Sequence, residues 1–212
     1  MNHTLIIPGL YGSELQHWQT WIQRRIPNTV RVEQPEWDNP ALPLWRNSIL
    51  DYMDRLPGKV WLLAHSFGCL AGIAAAMERP ERIVGAMLVA PADPARFNAN
   101  GFLSGSPYIA AAYSIASLLP QHSLPFPSVV VASANDPWMP LDTAAVWAER
   151  WESRLINVGA AGHINVESGF GPWPAGLELF RQLQQATSYL LQGNINEIPA
   201  TIIKPLLGET IL

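Results

Sequence analysis

The sequence predicts an α/β protein, a three-layer α/β/α sandwich around a mostly parallel six-stranded sheet. Short apolar runs alternate with segments whose apolar residues recur at helical spacing, which is the pattern of successive strand–helix–strand units. One of those runs ends in Ala64-His65-Ser66-Phe67-Gly68 and passes directly into small residues and helix formers, reading as strand, sharp turn and helix. Proline and glycine punctuate the places where such units must turn. Right-handed crossovers then bring every strand-to-helix turn to one sheet edge. The expected strand order is 2-1-3-4-5-6, with a ligand crevice where the order reverses, between the first and third strands.

Taken in order, 4–7 is a short apolar strand, closed by Pro8-Gly9-Leu10-Tyr11-Gly12. Ser13 and Gln16 form an S-x-x-Q pattern that predicts the start of a helix, with Leu15, Trp18, Ile22 and Ile26 on one face and Pro27 as the stop. A second strand is expected over 29–33. A helix follows a turn-rich stretch and carries Trp45, Ile49, Met53 and Leu56 on one face, ending at Pro57-Gly58. The third strand leads to Ser66, and its helix stops at Arg79-Pro80. In that sharp turn Ala64 and Gly68 are read as small because their backbones approach each other. Gly68, Ala71, Gly72, Ala74 and Ala75 let the helix pack closely on the sheet. The fourth strand is 83–89. The segment 95–127 is less regular, with a helix expected over 106–119, and its length reads as a lid or a binding loop. Valine-rich 128–132 is the fifth strand. A helix over 141–153 and a sixth strand over 154–158 follow, and a last helix runs to about 191. The apolar tail, 195–212, has no clear period.

Composition narrows the function. The chain has 212 residues, a length that fits one domain over 1–212 with a sizeable core. It is 49% hydrophobic and 14% charged, which excludes disorder. The net charge is −4 with no basic run, so neither nucleic acid nor an anionic membrane is an expected partner. Cys69 is the sole cysteine, which excludes an internal disulfide, and its place one turn after Ser66 suits a small buried hydrophobe. The N-terminal residues show no secretory signal and no run is long enough to span a bilayer, so a cytoplasmic location is expected. H-E-x-x-H, Walker A and G-x-G-x-x-G patterns do not occur, and no metal or other cofactor is expected.

Three turns at the shared sheet edge carry reactive groups: Ser66 after the third strand, Asp136 after the fifth and His163 after the sixth. A serine hydroxyl needs an imidazole to take its proton, and the imidazole needs a carboxylate to fix its tautomer. Ser66, His163 and Asp136 supply these types in the order Ser, Asp, His that α/β-hydrolases use. The backbone N–H of Phe67 is placed to meet a developing oxyanion, and Leu10 or Tyr11 across the crevice would offer a second. Asp93, after the fourth strand, is the rival acid. Glu167 either assists His163 or has a helix-start or surface role. His65 is expected to be buried and hydrogen-bonded, and His3, His17 and His122 to lie off the edge or in helical and loop settings. Trp18, Trp37, Trp138 and Trp173 fall beside these turns; Trp18, Trp138 and Trp173 are candidates to line an apolar substrate pocket.

The residues also resemble a family. Pro8-Gly9-Leu10-Tyr11-Gly12-Ser13 with His17-Trp18-Gln19, the Ala64-to-Gly68 turn, Asn135-Asp136-Pro137, Gly162-His163-Ile164-Asn165 and Gly169-Phe170-Gly171-Pro172-Trp173-Pro174 look like the small α/β-hydrolases related to retinoblastoma-binding protein 9. The resemblance covers about 4–191. It implies a compact α/β-hydrolase fold with little cap, a serine hydrolase triad at Ser66, Asp136 and His163, and no cofactor. The expected activity is cleavage of a small-molecule carboxylic ester, or of an amide or thioester, through an acyl-enzyme. The alternatives are a non-catalytic binding protein that keeps the fold and an acyltransferase. No Leu-x-Cys-x-Glu motif is present, so retinoblastoma-protein binding is not implied.

Overall fold

The computed structural model describes residues 2–98, 100–101 and 113–193. Its centre is a six-stranded, wholly parallel sheet in the order β2-β1-β3-β4-β5-β6. The strands are β1 (His3–Ile7), β2 (Thr29–Arg31), β3 (Val60–His65), β4 (Ile83–Val89), β5 (Ser128–Ala132) and β6 (Arg154–Asn157). The helices are α1 (Trp18–Gln23), α2 (Leu42–Arg55), α3 (Phe67–Ala76), α4 (Leu141–Arg150) and α5 (Pro174–Leu191). Fold class and strand order are those the alternation predicts, and the reversal falls between β1 and β3.

Alternation along each strand divides the core into two layers. Leu5, Ile7, Leu62, Ala64, Ala86, Leu88, Val130 and Ala132 face α2, α3 and α4. Ile6, Trp61, Leu63, Val84, Met87, Val89, Val129 and Val131 face α1 and α5. The stripe on α2 reads as expected: Trp45, Ile49 and Met53 are fully buried and Leu56 packs beside them.

α3 is the helix on which the site depends, and small residues set its distance from the sheet. A Cβ on Gly68 would lie 2.3 Å from the Pro8 carbonyl oxygen and 2.7 Å from that of Ile7. A Cβ on Gly72 would meet the Ile7 side chain at 3.2 Å. The need for glycine at position 68 therefore comes first from the end of β1, not from Ala64 as the turn pattern alone suggests. Backbone oxygens cannot yield as a flexible side chain can, so Gly68→Ala is expected to cost about 3 kcal/mol. A thermal melt should show this as a drop of roughly 10 °C; an unchanged midpoint would contradict the close approach.

The first helix departs from the expectation. Ser13 does not cap it: Ser13 Oγ bonds to Gln19 Oε1, and the N-cap is His17, whose ring accepts from the Gln19 N–H. Leu15 is consequently exposed, while Trp18 and Ile22 are buried. In the 95–127 segment, 99 and 102–112 lie outside the described residues, and the first half of the helix expected over 106–119 falls there. The described part holds a short helical turn, Ile115–Leu118, in place of that helix's end. Phe97, Ile115, Leu119, Leu124 and Phe126 join the α2–α3–α4 layer, with the Phe97 ring 4.7 Å from that of Phe67. The tail beyond 193 is also outside the described residues. Among the described residues no helix is long and apolar enough to cross a membrane.

Candidate active site

β3 delivers Ser66 into α3 with almost no turn between them, so the backbone must reverse on the serine itself. Ser66 has φ +54° and ψ −129°, a conformation sparsely populated by any residue with a side chain. Its N–H donates to Val89 O on β4, and its carbonyl accepts from Cys69 N–H in the first turn of α3, which fixes the bend from both sides. Gly9 completes the fit: a Cβ there would stand 2.6 Å from Ser66 Cβ, so the loop after β1 runs directly alongside the serine. Cys69 is buried beneath the turn, its thiol pKa pushed well up by burial, as a small hydrophobe in that place requires.

His163 and Asp136 arrive from β6 and β5. His163 Nδ1 lies 2.9 Å and 3.0 Å from the two Asp136 carboxylate oxygens, and His163 Nε2 lies 2.8 Å from Ser66 Oγ. A carboxylate can only accept, so the ring proton resides on Nδ1, and Nε2 accepts from the Ser66 hydroxyl. Both side chains of the His–Asp pair are more than nine-tenths buried. Asp136 Oδ1 also accepts from Trp138 N–H at 2.8 Å, so the Asn-Asp-Pro turn and the carboxylate's grip on His163 are one arrangement. The set can pass the Ser66 proton to an imidazole whose positive charge is met by a carboxylate.

The loop carrying His163 is held at many points. Its N–H donates to Ser168 Oγ, and its carbonyl accepts from His65 Nε2–H at 2.9 Å. Asn135 Oδ1 accepts from Gly162 N–H, and Ser133 Oγ accepts from Ala161 N–H. Ile164 is buried with φ +49°, and its carbonyl accepts from Trp18 Nε1–H at 2.9 Å. His65 is thus buried and bonded, as its place on the strand implied. Its pKa lies well below the ordinary value, first through burial and then through the neighbouring histidines.

Two candidate backbone donors lie beside the serine. Phe67 N–H opens α3, and Leu10 follows Gly9 in the loop beside Ser66; neither N–H donates to a carbonyl among the described residues. Tyr11, the other candidate, is excluded because its N–H donates to Trp37 O. The rival acid is excluded as well. Asp93 accepts from Ala95 N–H and is not bonded to His163; burial raises its pKa.

The cleft over Ser66 has a volume of about 240 Å³. Leu10, Tyr11, His17, His65, Trp138, His163 and Glu167 are among its walls. Of the three tryptophans expected there, Trp138 alone lines it, its ring tilted 36° to that of His163 with centroids 5.8 Å apart and the Arg96 guanidinium 4.3 Å from its own centre. Trp18 and Trp173 are core residues packed edge-to-face on each other at 5.3 Å. Trp37 packs on Trp45. Glu167 is exposed at the cleft rim and makes no bond to His163.

His17 has the helical setting expected of it, as the N-cap of α1, but it does not lie off this edge: it forms part of the cleft wall. It is 2% exposed, and its pKa is lowered to about 3, chiefly by burial and further by Arg31 and His163. An imidazole in the unfolded chain takes a proton near pH 6.5, whereas the folded ring resists until about 3. Between those values the unfolded state binds more protons, so stability is full above pH 6.5 and is lost as pH falls. Each unit of the window is worth about 1.4 kcal/mol per ring. His65 acts in the same direction. Urea unfolding at stepped pH should show stability falling below neutrality, with a shallower slope in His17→Asn; equal slopes would contradict the buried neutral ring. The signal for His17 was present in His17-Trp18-Gln19: all three side chains tie α1 to the site, through the N-cap, the Ile164 carbonyl and the ends of β1 and β3.

Among the described residues no group of three or more His, Cys, Asp or Glu side chains is arranged to hold a metal ion. Comparison with known proteins agrees with the fold. The chain is 24% identical over 179 residues to YdeN of Bacillus subtilis (strain 168), covering 80% of this chain and 89% of that protein. The crystal structure of a YdeN-like protein from Pectobacterium atrosepticum SCRI1043 superposes with a TM-score of 0.76 at 35% identity, over 88% of this chain and 92% of that one. Est1E from Butyrivibrio proteoclasticus, solved with ferulic acid bound, shares the fold with a TM-score of 0.61 at 15% identity, over 91% and 89% of the two chains. The family model described as serine hydrolase matches residues 4–182, and the chain belongs to that family.

Proposed function

We propose that the protein hydrolyses a small carboxylic ester through an acyl-enzyme on Ser66, with His163 as the proton carrier and Asp136 as its partner. The observation that carries this reading is the continuous hydrogen-bond chain from Asp136 through His163 to Ser66, with links of 2.9 Å and 2.8 Å. Ser66 Oγ attacks the carbonyl carbon as its proton passes to His163 Nε2, and the N–H groups of Phe67 and Leu10 meet the oxyanion. Collapse breaks the ester C–O bond, and the leaving alkoxide takes the proton from His163. Water then repeats the steps on the acyl-enzyme and releases the acid. Amides and thioesters follow the same route with a different leaving atom.

A non-catalytic binding protein would have no need of a serine held at φ +54° above a buried His–Asp pair, because such strain costs about 1–3 kcal/mol. The Est1E fold neighbour holds a small aromatic carboxylic acid, which is the product class expected here. Placement beside the retinoblastoma-binding protein 9-like hydrolases is supported by the His17-Trp18-Gln19 and Gly162-to-Pro174 motifs, whose residues surround the site. The test is a fluorophosphonate probe with peptide mapping, run beside a panel of short-chain esters. Labelling is expected on Ser66, with ester turnover. A folded protein that takes no label ends this reading.

A further inference from the structure

One polar group in the cleft is not used by the chemistry above. His17 Nδ1 accepts from Gln19 N–H at 3.2 Å, which places the ring proton on Nε2. That N–H bonds to no group among the described residues, and the residue, 2% exposed overall, forms part of the cleft wall. Burial, Arg31 and His163 together hold the ring neutral. A donor that opens on the cleft and is not bonded within the protein is free to donate to whatever enters.

Position and charge narrow what that is. The rings of His163, His65 and His17 follow one another along one wall, with centroids 4.9 Å apart at each step. His163 hands its proton to the leaving oxygen, so this wall runs along the alcohol side of the ester, while Phe67 and Leu10 mark the carbonyl-oxygen side. The cleft is bordered by Glu14 and Glu167, with no Lys or Arg among its lining residues, which disfavours an anion.

We propose that His17 is a substrate-binding residue whose Nε2–H donates to a second, uncharged oxygen on the alcohol portion, so that esters of ether- or hydroxyl-bearing alcohols are preferred over plain alkyl esters. This rests on the hydrolase reading above. The test is a matched pair, 2-methoxyethyl butanoate and n-butyl butanoate, which differ by one oxygen in place of one methylene. Rates are normalised to hydroxide-catalysed hydrolysis to remove the inductive difference. The wild type should favour the methoxyethyl ester by about tenfold in kcat/KM, expressed in KM. His17→Asn keeps an acceptor near the Nδ1 position and, being shorter, leaves no donor at the Nε2 position, and should bring the ratio close to one. His17→Gln places an amide N–H near the Nε2 position and should restore part of the preference. Fluorophosphonate labelling of Ser66 runs in parallel as the control for the hydrolase reading. Loss of labelling in the wild type would remove that reading itself. Normal labelling with a wild-type ratio near one, or with turnover of neither ester, would remove only the His17 assignment. So would a His17→Asn variant that loses both esters equally.

Discussion

Ser66→Ala is expected to lower kcat on any ester the protein turns over by roughly a millionfold. The loss is large because the acyl-enzyme cannot form without the hydroxyl, and what remains is the contribution of the N–H groups of Phe67 and Leu10 acting on water attack. Alanine keeps the backbone penalty of φ +54°, so the melting temperature should barely change. Ser66→Gly should be equally inactive, yet about 1 kcal/mol more stable, because glycine adopts this conformation without strain. Comparing the two variants separates the chemical role of the side chain from the cost of holding it. Residual turnover in Ser66→Ala within tenfold of the wild type would overturn the assignment.

Asp136→Asn is expected to lower kcat by about ten-thousandfold. The asparagine oxygen can still accept from Trp138 N–H, so the turn survives. Its amide then points N–H groups at His163 Nδ1, forcing the ring proton onto Nε2, where it faces Ser66 and cannot accept the hydroxyl proton. Asp93→Asn is the matching control. Asp93 is also buried at the sheet edge, but it caps a short helical turn through Ala95 N–H and is not bonded to His163. Its activity should stay within a few-fold of the wild type. Equal losses in the two variants would show that the carboxylate at 136 has no special part.

Strand identity and order were legible because alternating burial on two faces leaves a clear mark. The expected bounds of β4 and β5 are those observed, since runs such as Ser128–Ala132 have one conformation that suits β-branched residues on a pleated sheet. The convergence of Ser66, Asp136 and His163 was legible for a topological reason: parallel strands with right-handed crossovers deliver successive strand ends to one edge. What depended on side chains reaching across the fold was not legible. Ser13 and Gln16 satisfy a local capping rule, but Ser13 is drawn to Gln19 and the cap passes to His17. Tyr11 and Leu10 are equivalent in sequence, and only the Trp37 carbonyl distinguishes them. Trp18 and Trp138 both flank sheet-edge turns, yet Trp18 spends its N–H on Ile164 and packs inward, while Trp138 stands over His163.

Gln19 has a consequence for how the crevice behaves. Its side-chain amide nitrogen donates to Ile7 O on β1 and to Leu63 O on β3, both at 3.1 Å, from a position fully shielded from solvent. These are the two strands whose following loops diverge to open the gap, and one amide staples their tips together. The width of the opening is thereby set before any guest arrives, so selection among guests falls to shape and to the groups on the walls rather than to the sheet spreading to accommodate them.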